Sequence, residues 1–169
     1  MAASPGSRPR LRIPRSPLEK ILEVLCVLGL AFIIATLALS WSRIPATIPT
    51  HFNAAGQPDS YGGKGTLFVS PVIACVLYGL LTLLSFFPQV FNFPWAITAQ
   101  NAWEQYRLAR AMLAWLKVEL IAIVAYINWL LLQTSLGQAS GLGFWFLPVA
   151  LVAVFATIGV YLRLLYRAR

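Results

Sequence analysis

Acidic side chains are the scarcest ingredient of this chain. Its 169 residues hold 5 Asp and Glu against 13 Lys and Arg, with one histidine, His51. The one aspartate is Asp59. A metal centre needs three or four N, S or O ligands in a set geometry, and one His with one Asp falls short of that. No HExxH-like helix spacing occurs. Neither a metal nor another cofactor is therefore expected. The 2 cysteines, Cys26 and Cys75, sit inside apolar runs without a CxxC spacing and read as small buried hydrophobes. Serines such as Ser60 and Ser70 have no flanking nucleophile-elbow motif, so no catalytic residue is assigned. Internal repeats and low-complexity tracts are missing as well.

Apolar sequence is abundant. Hydrophobic residues make up 59% and charged ones 11%, and the mean hydropathy of +0.75 lies outside the range of ordinary globular domains. Four apolar runs stand out, each near the ~20 residues that cross ~30 Å of hydrocarbon. The expected fold is thus an all-α integral membrane protein with helices over about 18–41, 67–87, 99–132 and 144–165. They form a single domain over 16–169, with an outer loop at 42–66, behind a basic N-terminus at 1–15 expected to be disordered.

All but Arg43 and Lys64 of the 13 basic residues fall on one side of this arrangement. The bias places both termini in the cytoplasm and the 42–66 loop outside. The net charge of +8 then reads as basic flanks against anionic lipid, and no nucleic-acid partner is expected. A cleavable signal ending near Ser40 fits poorly, because the run is longer than an h-region and Trp41 follows as an interface anchor.

Local signals place the ends of the helices. Ser16, Pro17 and Glu19 form a capping box with proline at the first helical position. Lys20 and Glu23 are close enough to pair on the first helix. Pro71 and Pro148 fall early in the second and fourth helices, where they are tolerated. Thr98 is expected to cap the third helix, on whose surface Glu104 and Arg107 pair. The aromatic stretch around Phe91, Phe93 and Trp95 is read as an interfacial belt, with Trp41, Trp95, Trp103, Arg107 and Arg110 as the interfacial residues. Glu119 lies inside the third apolar run and needs a partner at that depth. Counting rises back from the outer turn gives Arg163 as that partner, an intramembrane Glu119–Arg163 pair. Tyr126 shares the face of Glu119.

The longest polar interval, Ile44–Lys64, is the place for recognition. Pro45 and Pro49 exclude helix, Thr50–Asn53 alternates as a short extended segment, and Gly56, Pro58, Asp59, Gly62 and Gly63 are turn formers. A compact turn or small hairpin is expected, followed by a glycine hinge. Within it His51 ties the extended segment to the turn around Asp59, while Asn53, Gly56, Asp59 and Lys64 fix its shape.

The string IPTHFN, the G-x-P-D at Gly56–Asp59, then Gly62 and Lys64 resemble the signature of a bacterial membrane domain, the domain of unknown function 1648 family. FNFPWAIT at 91–98, followed by Asn101, Ala102, Gln105 and Tyr106, resembles its continuation, so the resemblance covers about 41–110. That domain forms the N-terminal part of immunity and signalling proteins acting against a sporulation-delay toxin peptide. The resemblance implies a multi-pass protein of the bacterial cytoplasmic membrane. The leading functional reading is a non-catalytic recognition or accessory protein whose 44–64 loop contacts a peptide, a partner protein or an envelope component. Two alternatives stay open: a small transporter or membrane enzyme using Glu119 or His51, and a structural subunit of a larger membrane complex.

Overall fold

The computed structural model describes residues 8–169. It is mostly helical, with helices α1 (Pro17–Ser40), α2 (Val69–Ser85), α3 (Ala102–Ser135) and α4 (Phe146–Arg167). One hairpin, β1 (Thr47–Phe52) and β2 (Pro58–Gly63), lies between α1 and α2. Three helical stretches, Pro17–Arg43, Lys64–Ser85 and Phe146–Arg167, are long and apolar enough to cross a membrane.

The helix ends follow their local chemistry. Ser16 Oγ accepts the Glu19 N–H at 3.2 Å, and Glu19 Oε2 accepts the Ser16 N–H at 2.7 Å, completing the capping box behind Pro17. The hinge before α2 is a 3-10 turn, Lys64–Phe68, rather than a loose glycine linker. Thr98 caps a turn and not the helix itself. Asn101 Oδ1 takes the Thr98 N–H at 2.9 Å and Thr98 Oγ1 takes the Asn101 N–H at 3.4 Å, so α3 starts a turn later, at Ala102. At 34 residues α3 is ~51 Å long, more than a bilayer's thickness.

Helix α3 is the axis of the molecule: α1, α2 and α4 all pack on it, and α1 also touches α2. Three apolar clusters mark its length. Leu37, Ile44, Ile48, Leu67, Leu131 and Leu132 close the hairpin end. Cys26, Ile33, Ala74 and Ile121 fill the middle. There Gly29 admits Ile121, since a Cβ at Gly29 would stand 2.7 Å from Ile121 Cγ2. At the far end Phe93, Tyr106, Ala109 and Leu165 pack beneath the 91–97 loop. Lipid is as apolar as these side chains, so within a bilayer such contacts stabilise through close packing and not through transfer from water. Exposed Ile21, Val24, Val72, Val76, Val152 and Phe155 are left facing outward, as a lipid surround requires.

Two expectations change at the far end. Residues 1–7 of the stretch expected to be disordered lie outside the described residues. Residues 8–15 carry no helix or strand but are held as a strap. Arg8 donates to the carbonyls of Gln89, at 3.1 Å, and Phe91, and Arg110 donates to the carbonyl of Ile13 at 2.6 Å. Nor is the aromatic stretch only a belt at the membrane surface. Phe93 is buried, and Trp95 Nε1 donates to Gln105 Oε1 at 2.9 Å while Gln105 Nε2 donates to the carbonyl of Leu165 at 2.8 Å. Phe93 and Trp95 thus belong to a polar-bonded cap over α3 and α4.

Candidate functional site

The hairpin is antiparallel, with Thr47 opposite Gly63, Ile48 opposite Gly62 and Pro49 opposite Tyr61. A shift in register between Pro49 and His51 brings His51 opposite Ser60. Such a bulge re-aims side chains, and it sets His51 beside Asp59. His51 Nδ1 and Asp59 Oδ1 are 2.6 Å apart. The tie between the extended segment and the turn is therefore present. Its two side chains are 68% and 41% exposed, so it is a surface pair.

Asn53 shapes the turn. Its Oδ1 accepts the N–H groups of Ala55 at 2.9 Å and Gln57 at 3.1 Å, and its carbonyl accepts that of Gly56 at 2.8 Å. Gly56 takes φ +75°, a left-handed conformation that only glycine adopts cheaply. Lys64 Nζ stands 4.6 Å from the centre of the Trp41 ring, a cation–π contact where the hairpin joins α2. On the hairpin's inner side Ile48 is fully buried. The turn is fastened separately, because the carbonyl of Gly56 accepts the N–H of Leu142 at 2.7 Å from the α3–α4 connection. What remains open is a polar face that includes Thr50, His51, Asp59, Ser60 and Tyr61.

Below the hairpin, four ionisable groups of the bundle are arranged as a ladder between α1 and α3. Arg110 meets Glu19 at 2.7 Å, with both side chains nearly enclosed. Lys117, 3% exposed, meets Glu23 at 2.6 Å. It also donates to Thr82 Oγ1 at 2.9 Å, and Tyr78 donates to the other oxygen of Glu23 at 2.6 Å. Farther along, Asn128 Nδ2 donates to Thr36 Oγ1 at 3.1 Å. Partners rise together in number along both helices, so α1 and α3 run parallel. Removing one member of such a buried pair leaves the other charge uncompensated.

This ladder corrects several expectations. Glu23 pairs with Lys117 and not with Lys20. Arg110 is not an interfacial side chain but the buried partner of Glu19. Trp103 and Arg107 do stay on the surface, and Arg107 Nε donates to Glu104 Oε2 at 2.9 Å. That guanidinium holds the Glu104 carboxyl below its usual range, against a smaller opposing effect of burial. The expected Glu119–Arg163 pair is absent among the described residues. Glu119 Oε1 instead accepts from Thr157 Oγ1 at 2.5 Å, while Arg163 is exposed. Arg163 is six residues from Thr157, a rotation of ~240° about α4, so matching depth alone did not bring it round to Glu119. Glu19, Glu23, Lys117, Tyr78 and Thr82 were missed as a group. The signal was available: acids at 19 and 23 on one run, and bases at 110 and 117 on another, each share a helix face.

Residues 27–75 match the model of a family described as Domain of unknown function (DUF1648). They take in most of α1, the whole hairpin and the start of α2. The second block of the resemblance, at 91–106, lies beyond the matched residues. An uncharacterized protein of Archaeoglobus fulgidus is 30% identical over 95 residues, which cover 50% of this chain and 52% of the relative. The chain therefore spans about half the length of that relative. No solved structure matches.

Proposed function

We propose that this chain, which carries the DUF1648 domain over residues 27–75, is a non-catalytic recognition protein of the bacterial cytoplasmic membrane. In this reading it spans the bilayer four times, with both termini in the cytoplasm and the hairpin outside. The hairpin presents Thr50, His51, Asp59, Ser60 and Tyr61 to a peptide, a partner protein or an envelope component. An accessory or immunity-like role toward a peptide is the form that the family resemblance gives this reading.

One observation carries the proposal: the hairpin is fixed while its polar face is free. Ile48 is fully buried and Gly56 is bonded to Leu142, yet the His51 side chain is 68% and Tyr61 63% exposed. A preset surface binds with less ordering cost than a floppy loop. The fourth span is supported by the ladder, since α3 lies parallel to α1 and holds its buried bases against acids that α1 carries. The orientation is supported by the distribution of basic residues. In a background lacking Cys26 and Cys75, an impermeant thiol reagent applied from outside should label a cysteine at Gln57. It should not reach one at Ala99 or Arg167, and labelling at Arg167 would overturn the orientation.

For the recognition itself, a photo-crosslinking side chain at Tyr61 should give one discrete adduct in intact cells. The same group at buried Ile48 should give none. The Tyr61 adduct should disappear with Asp59→Ala in protein whose hairpin still resists protease. Equal adducts at both positions, or none at any exposed hairpin residue, would refute the reading.

A further inference from the structure

Glu119 differs from the other acids of the bundle. Glu19 and Glu23 each face a base within 2.7 Å. Glu119 has only the hydroxyl of Thr157 on Oε1, and its Oε2 is buried with no hydrogen-bond partner among the described residues. A carboxylate inside a span is costly, and such groups normally face a partner or mark a functional site. The bundle supplies a counterion to its other enclosed acids and withholds one here.

The same residue lines an open groove of about 400 Å³ between α3 and α4. That volume falls in the range of small-molecule sites. Its remaining walls are apolar, among them Ile123, Val149 and Ala153, or aromatic. The Tyr126 and Phe146 rings stack there with centres 5.0 Å apart and planes 14° from parallel. The Tyr126 hydroxyl is already committed, donating to the carbonyl of Leu142 at 3.1 Å. The groove therefore offers ring faces, aliphatic walls and one acid.

We propose that the α3–α4 groove binds a lipophilic organic cation, a single positive charge on an apolar body, with Glu119 as its counterion. Each feature selects for that class. An inorganic cation would need several oxygen ligands, and the lining offers one carboxylate. An anion is repelled by Glu119. A neutral hydrocarbon, such as a lipid acyl chain, fills the walls but leaves the charge of Glu119 without a counterion. An apolar cation satisfies both, and ring faces attract positive charge as well. The charge of a carboxylate is shared by both oxygens, so a cation beside Glu119 is drawn to it while Thr157 keeps its bond to Oε1. This site is separate from the hairpin surface; it rests on the proposed reading only in placing α3 within the bilayer, and its binding test is read independently of the hairpin crosslinking.

Radiolabelled tetraphenylphosphonium is a suitable probe, measured by equilibrium binding to the full chain in phosphatidylcholine nanodiscs, with empty nanodiscs subtracted. Saturable binding near one per chain is expected, and Glu119→Gln should weaken it at least tenfold. Ala153→Phe fills the groove without altering the carboxylate and should abolish binding. Glu119→Asp keeps the charge and should retain part of it. These two variants decide the matter if the glutamine variant does not fold. Binding left unchanged by Glu119→Gln would show an apolar groove indifferent to charge. Binding left unchanged by Ala153→Phe would place the probe elsewhere. Either result, or no saturable binding by the unaltered protein, overturns the proposal.

Discussion

Gly56 and Leu142, far apart in the chain, are joined by a backbone hydrogen bond of 2.7 Å that fastens the hairpin turn to the α3–α4 connection. The approach is close enough to exclude a side chain at Gly56 or at Gly141, the neighbour of Leu142. A Cβ on Gly56 would meet Gly143 O at 2.7 Å, and one on Gly141 would meet Gly56 O at 2.1 Å. Both glycines also take positive φ, +75° and +149°. Gly137, at φ +72°, has nothing within 4 Å of its Cβ position and isolates the conformational effect. Gly137→Ala should cost ~1 kcal/mol from that effect alone. Gly141→Ala should cost most, with Gly56→Ala between them, in unfolding midpoints measured in detergent. Only the two contact variants should expose the hairpin to protease.

The buried base on α3 gives a larger prediction. Lys117→Met leaves Glu23 enclosed without its cation and should cost ~3–5 kcal/mol in the same measurement. Replacing Glu23 by Leu in that background removes the stranded charge and should recover most of the loss. Losses that simply add would show that the two residues are not energetically coupled.

Within the hairpin, the bonded turn should matter more than the exposed pair. Asn53→Ala strips an acceptor from two backbone N–H groups and should cost ~1–2 kcal/mol. The His51–Asp59 pair lies in water and is worth ~1 kcal/mol at most. His51→Leu should therefore shift the unfolding midpoint less than Asn53→Ala does, and His51→Asn, which keeps a donor and an acceptor, less still. A His51→Leu effect exceeding that of Asn53→Ala would make the pair the organising contact.

Glu104 and Arg107, in the first turns of α3, supply a pH dependence. Arg107 lowers the folded-state pKa of Glu104 from the ordinary 4.5, so the pair's stabilisation is fully present above that pH. It is lost as pH falls through the lower folded value. Both side chains are about half exposed, so the whole effect is ~0.5 kcal/mol or less. Glu104→Gln should reproduce the acid-side loss at neutral pH and flatten that part of the profile.

Local chemistry was legible in the sequence wherever cause and effect lie within a few residues. Ser16 with Glu19 and Glu104 with Arg107 act at a separation of three, and the prolines around the hairpin act on themselves and on the residue before. His51 with Asp59 was also readable, because a tight turn leaves few other arrangements for so short a segment. Partners on separate helices were not. Glu19 caps its own helix with one oxygen and holds Arg110 with the other, and only the first role leaves a local mark. Axial depth can be counted along an apolar run, but rotation cannot until the helices are packed. For that reason Glu119 was matched in depth to Arg163 and is bonded to Thr157. Residues 8–15 looked free because composition reports propensity and not the carbonyls at Gln89 and Phe91 that Arg8 finds.

The ladder between α1 and α3 has a consequence for how the chain is made. In the proposed four-span arrangement α1 emerges from the ribosome before α3, carrying Glu19 and Glu23 into the membrane well before Arg110 and Lys117 have been synthesised. Those acids wait without their α3 partners while the hairpin and α2 are translated, with Tyr78 reaching Glu23 before Lys117 does. When α3 follows, a helix too polar at Lys117 to enter lipid readily finds its neutralising groups already in place. In that arrangement α1 is an internal insertion guide for α3, and the order of these two segments becomes part of the folding code.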